Sequence, residues 1–113
     1  MVSRKVRLGP ADLREGEMRG YEPAGGRLVL LARVEGRYRA IDDWCNHAGC
    51  QISMGWLDRR PEGGATAVCP CHEVGFDVET GRNLTSPLIC GDQPVFPVTV
   101  EGGDVYVELP EEE

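Results

Sequence analysis

The stretch Val98-Thr99-Val100-Glu101-Gly102-Gly103-Asp104-Val105-Tyr106-Val107-Glu108 decides the fold class. Apolar residues alternate with others on both sides of a Gly-Gly pair. Period-two alternation suits a half-buried strand, and two glycines suit the left-handed positions of a tight turn. A β-hairpin is predicted, with strands at 98–101 and 104–108. Working outward, 28–34 and 37–41 are strand-like and joined by Glu35-Gly36, which predicts a second hairpin. Further strands are expected at 5–8, 18–22, 66–68 and 75–78, with a turn or single helical turn at 9–13. Residues 58–65 are polar and rich in breakers, so they read as a surface loop. Residues 79–82 read as a turn, 86–94 as irregular chain between prolines, and 111–113 as a solvated tail. No segment keeps a helical period over three turns. The class is all-β, in one domain spanning 1–113 without internal repeats.

Bulk properties narrow the function. The chain has 113 residues, which suits one domain, and its net charge is −7. Nucleic-acid binding needs clustered Lys and Arg, so this charge disfavours it. A basic patch on a protein partner, met transiently by a monomer, fits better. The longest apolar run, 28–32, is far shorter than the roughly 20 residues that span a bilayer. Residues 1–8 lack the apolar stretch of a signal peptide. No membrane anchor is expected, and a cytoplasmic location is. There, paired cysteines indicate metal or redox work before structural disulfides.

Two boxes carry the chemistry: Cys45-Asn46-His47-Ala48-Gly49-Cys50 and Cys69-Pro70-Cys71-His72. They contain both histidines of the chain and four of its five cysteines. Thiolate and imidazole bind both zinc and iron. Each box pairs one sulfur with one nitrogen, whereas a zinc finger groups two cysteines in one half and two histidines in the other. Both boxes also sit in loops after predicted strands.

Cys-x-His followed by Cys-Pro-x-His in an all-β chain resembles the Rieske [2Fe-2S] family, in which histidines replace two cysteines on one iron. Leu13-Arg14-Glu15-Gly16-Glu17, Tyr38-Arg39-Ala40-Ile41-Asp42, Gly75-Phe76-Asp77-Val78-Glu79-Thr80-Gly81 and residues 96–107 are similar to the Rieske-type ferredoxins of bacterial dioxygenase systems. The resemblance implies an antiparallel β-sandwich with a cluster-binding subdomain, about 43–90, inserted as two loops. It implies one [2Fe-2S] cluster per chain, with Cys45 and Cys69 on the inner iron and His47 and His72 on the outer iron. The implied function is one-electron transfer from a flavin-dependent reductase to a terminal oxygenase or similar enzyme, with docking at exposed histidines. The chain is expected to be a carrier and not itself an enzyme: both histidines are used, and 113 residues are too few for the second domain a mononuclear iron would need. The alternatives are a small Rieske subunit of a respiratory or arsenite-oxidase-like complex, and a redox sensor.

Two departures bear on the potential. Cys50 and Cys71 match the positions that form a disulfide in Rieske proteins of cytochrome bc-type complexes. That respiratory family follows the second box with Gly-Ser-x-Tyr, whose hydroxyls donate to sulfur. Glu73, Val74, Gly75 and Phe76 stand there instead. Sulfur hydrogen bonds stabilise the reduced state. The expected potential therefore lies toward the low end of a range of roughly −150 to +300 mV. Glu73 beside His72 would lower it further if its carboxylate points inward. Among the other residues, Cys90 is expected to be a small buried hydrophobe. Trp44 and Trp56 are expected to pack around the first loop, and Asp42 and Asp43 to be solvated. Arg59 and Arg60 are expected to be loop charges, and Ser86-Pro87 to begin a third loop over the cluster.

Overall fold

The computed structural model describes residues 3–23, 27–44, 50–71, 73–85 and 91–110. Among the described residues, ten strands form three antiparallel sheets. The first has the order β1 (Ser3–Pro10), β10 (Asp104–Pro110), β9 (Val98–Glu101). The second has β2 (Met18–Tyr21), β3 (Val29–Val34), β4 (Arg37–Asp42), β8 (Val95–Phe96). The third has β5 (Trp56–Arg59), β6 (Ala65–Val68), β7 (Gly75–Asp77). The third sheet and the 3-10 turn Ile52–Met54 lie between β4 and β8 in the chain.

Strand β3 explains the layering. Its apolar run is buried on both faces. Val29 and Leu31 pack with Val105, Val107 and Leu109 toward the first sheet. Leu30, Ala32 and Val34 pack with Ala65, Ala67 and Phe76 toward the third. One strand thus serves two cores, and its sequence reads as continuous rather than alternating. Strand β10 faces only one core, and Val105, Val107 and Leu109 alternate with less buried residues.

Both predicted hairpins form. In one, Glu101 pairs with Asp104 across Gly102 and Gly103, at φ 58° and 84°. In the other, Val34 pairs with Arg37 across Glu35 and Gly36, at φ 56° and 74°. Positive φ at both central residues is the turn whose twist matches the strands. Glu35 lacks glycine's freedom there. The Glu15 carboxylate accepts from its amide and from that of Gly36, the latter at 2.8 Å. Those bonds hold the Glu15 carboxyl below the usual range.

Three expectations need correction. Residues 58–65 are not all loop, since Asp58 and Arg59 belong to β5 and Ala65 to β6. Strand β5 points most of its side chains outward, so its polarity concealed it. Residues 9–13 form no helical turn. β1 runs through Pro10 with an irregularity between Arg7 and Gly9, and the Ala11 amide continues the sheet edge to Gly103 O at 2.8 Å. Arg60 is not a free loop charge. Its guanidinium donates to Thr66 Oγ1 at 2.7 Å and meets Asp77 Oδ2 at 3.3 Å, which ties the β5–β6 turn to β7.

Candidate metal centre

Strand β6 delivers the second box. Val68 pairs with Gly75, and the chain between them is the loop of the β6–β7 hairpin. Cys69 N donates to Val74 O and Glu73 N donates to Cys69 O, both at 2.9 Å. The reversal places Glu73 at φ 55°, a conformation costly for a residue with a Cβ. Cys69 is buried against Ile52, Val74 and Phe76, while Pro70 and Cys71 face solvent. At Gly55 a Cβ would overlap the Val68 carbonyl oxygen and lie 3.1 Å from Pro70 Cδ. The turn after the first loop therefore packs against the base of the second only with glycine there.

The first box leaves β4 and returns at Cys50. Trp44 and Gln51 form an antiparallel bridge across its base. Beneath that bridge lies Asp43, fully buried and not solvated as expected. Its Oδ1 accepts from Ser53 N at 2.7 Å, and its Oδ2 from Ser53 Oγ at 2.6 Å and Gln51 Nε2 at 3.2 Å. Burial pushes the Asp43 carboxyl up, against these hydrogen bonds and together with the nearby negative charge of Asp42. Gln93, from the distant segment before β8, donates through Nε2 to Asp42 O at 2.8 Å and Trp44 O at 2.9 Å. Sequence reading missed Gln93. Its only local signal was an amide between Asp92 and Pro94 in chain read as irregular.

Of the four expected ligands, Cys69 is described; Cys45, His47 and His72 lie outside the described residues, as do Ser86, Pro87 and Cys90. Cys50 and Cys71 are joined as a disulfide, with Cα atoms 6.5 Å apart and a sequence separation of 21. The sulfurs of Cys50, Cys69 and Cys71 all lie within 4.8 Å of one another. The bridge thus flanks the buried sulfur of Cys69. A soft sulfur donor backed by apolar side chains fits an iron–sulfur cluster. Where the respiratory pattern has hydroxyls, Val74 and Phe76 are buried in the apolar core. Residues 45–49, the expected packing site of Trp44 and Trp56, lie outside the described residues; the two side chains are 52% and 43% exposed, and Met54 is 73% exposed. Three large apolar side chains close in sequence to the two boxes therefore meet solvent.

The Rieske [2Fe-2S] domain model matches residues 4–97. The 3-phenylpropionate/cinnamic acid dioxygenase ferredoxin subunit of Escherichia coli (strain K12) is 37% identical over 101 residues, covering 89% of each chain. A chain in the structure of the complex of reduced oxygenase and oxidized ferredoxin in carbazole 1,9a-dioxygenase superposes with a TM-score of 0.80 at 32% identity. That match covers 96% of this chain and 97% of the other. The Sphingomonas yanoikuyae B1 ferredoxin gives a TM-score of 0.80 at 28% identity, over 95% of this chain and 100% of its own. The second box on the loop of the β6–β7 hairpin, the Trp44–Gln51 bridge at the base of the first, and a family match over residues 4–97 lead to one assignment. The chain belongs to the Rieske [2Fe-2S] domain family, as an electron-transfer protein of the ferredoxin type that carries a [2Fe-2S] cluster.

Proposed function

We propose that this chain carries single electrons from a flavin-dependent reductase to a terminal oxygenase or a similar redox enzyme. The observation that carries the reading is coextension: the chain matches a dioxygenase ferredoxin subunit over 89% of both lengths. In this reading Cys45 and Cys69 hold the inner iron, and His47 and His72 the outer iron. The cluster, when bound, supplies reversible one-electron chemistry. The chain's own residues hold it, shield its inner side and present its outer side to a partner. Burial of Cys69 among Ile52, Val74 and Phe76 supports the first two tasks. Imidazole in place of thiolate makes the cluster less negative and eases reduction. Exposed histidines also couple proton to electron transfer.

The whole chain, 1–113, acts in this reading as one Rieske unit, with the cluster borne on about 43–90, and works as a cytoplasmic monomer that docks transiently. The apolar Val74 and Phe76 support a potential toward the low end of the Rieske range, because neither side chain can donate to sulfur. The Cys50–Cys71 bridge favours a second reading, a Rieske subunit of a respiratory or arsenite-oxidase-like complex.

EPR of the dithionite-reduced protein tests the ligand set. A rhombic signal of low average g is expected, and it should vanish in Cys69→Ser; an EPR-silent protein containing zinc would refute the reading. Redox titration separates the two partner classes, since a strongly positive midpoint would favour the respiratory one. Stopped-flow oxidation of the reduced protein by a terminal oxygenase then tests the carrier role directly.

A further inference from the structure

Among the described residues only Asp43, Asn83 and Gln93 are buried polar or charged side chains. Asn83 and Gln93 lie along one path between the ligand loops, and Asp43 lies at the neck of the first. Gln93 is 3% exposed and stands 49 residues from Trp44 in sequence. Segment 93–96 runs beside the end of β4: Phe96 pairs with Ala40, Val95 with Ile41, and Pro94 O accepts from Asp42 N at 2.9 Å. The amide of Gln93 continues this contact past the strand's end. It satisfies two main-chain carbonyls, those of Asp42 and Trp44, with the two hydrogens of one nitrogen. Trp44 immediately precedes Cys45.

The same residue reaches the turn after β7, the strand that follows the second loop. Gln93 N donates to Gly81 O at 2.7 Å, and Gly81 N to Asp77 O at 2.7 Å in β7. A side chain at Gly81 would overlap the Gln93 carbonyl oxygen, so glycine permits the approach. One residue back, Asp92 Oδ1 accepts from Asn83 N at 2.9 Å. Asn83 Oδ1 accepts from Thr85 N at 3.1 Å, and Thr85 Oγ1 accepts from Gly75 N at 2.8 Å. Gly75 pairs with Val68, the neighbour of Cys69. Hydrogen bonds therefore run from the residue before Cys45 to the strand pair that holds Cys69, and Gln93 stands at their junction.

We infer that Gln93 is a positioning residue for the cluster: its side-chain amide fixes the first ligand loop in register with the second. The inference rests on the Rieske reading of the two boxes. Asp43 holds the opposite side of the same neck through Gln51 and Ser53. An electron carrier benefits from ligands that keep one arrangement in both oxidation states, because partners outside the ligand set orient the ligands. At Trp44 O this task falls to a side chain from a third segment.

The test uses the cluster-loaded protein. Gln93→Met keeps the length and removes both donors, while Gln93→Glu keeps the shape and turns acceptors toward the two carbonyls. Both variants should show broadened or shifted g values on reduction. Cluster loss to an iron chelator should be about tenfold faster, the lower end of the effect of removing such a partner. Gln93→Glu should show the larger change. If thermal stability falls while g values and loss rate per folded molecule stay unchanged, Gln93 is only a structural plug and the inference fails. Unchanged behaviour in every measurement also overturns it. Should Gln93→Met not accumulate as folded protein, Asp92→Ala cuts the exposed part of the same path and is judged by the same readings. A wild-type protein without a rhombic signal would instead defeat the underlying Rieske reading.

Discussion

The loop of the second box closes through its own backbone, from Cys69 N to Val74 O and from Glu73 N to Cys69 O. The neck of the first box has one backbone bridge, Trp44 with Gln51, and is otherwise held by side chains from positions 43, 51, 53 and 93. A hairpin loop is specified locally, because the strands on either side set its geometry. A neck held by buried side chains depends on residues far along the chain. It costs buried polar groups that must all be satisfied. The β3–β4 turn repeats that second device at the surface, with the Glu15 carboxylate receiving two turn amides. Burial changes the outcome: the Asp43 carboxyl is pushed up, whereas that of Glu15 is lowered by its hydrogen bonds.

The strongest way to break the contrast is to cut the disulfide between the loops. Cys50→Ala/Cys71→Ala removes a crosslink across a separation of 21 residues. The chain-entropy relation gives a loss of about 3 kcal/mol for a loop of this size, read from urea unfolding. Unchanged stability, with both wild-type cysteines freely alkylated, would show that no crosslink joins the loops. A smaller effect of opposite sign is expected at the locally closed loop. Glu73→Gly relieves the left-handed strain and should stabilise the protein by about 1 kcal/mol. A loss of stability there would mean the Glu73 side chain holds the loop.

The smallest effect belongs to the exposed cap. Glu15 has a folded pKa below its unfolded value, so its contribution is present above the unfolded pKa. It is lost as pH falls through the folded one. Glu15→Gln should therefore lower the urea midpoint slightly at pH 7, and the difference from wild type should fade on acidification below about pH 4. A difference that persists at pH 2.5 would show that packing, not charge, is responsible.

The legible parts of the chain follow the same division. Strands β3, β4, β9 and β10 were readable because apolar runs and alternations ended at turn residues with a known backbone requirement. The second box was readable as a loop for the same reason. Strand β5 was not, because its outward side chains Asp58 and Arg59 resemble a loop. Strand β8 spans two residues between prolines and pairs only at Ala40 and Ile41. Asp42-Asp43 looks like a solvated pair, yet Asp43 is buried by partners eight and ten residues on, and Gln93 meets its partners across about fifty. Local patterns carry local geometry. They do not show which polar residue a tertiary neck will enclose.

The pairing of β1 with β10 joins Ser3 to Pro110 and covers the core on one side of β3. Ribosomes add roughly 5–20 residues per second, so β1 emerges some 5–20 s before its partner strand is made. Through that interval Val29, Leu31 and Ala40 lack the cover that Val105, Val107 and Leu109 later provide. The closing contact also spans nearly the whole chain, which makes it among the slower to form by diffusion. The nascent chain therefore completes this core last, when the final strand leaves the ribosome.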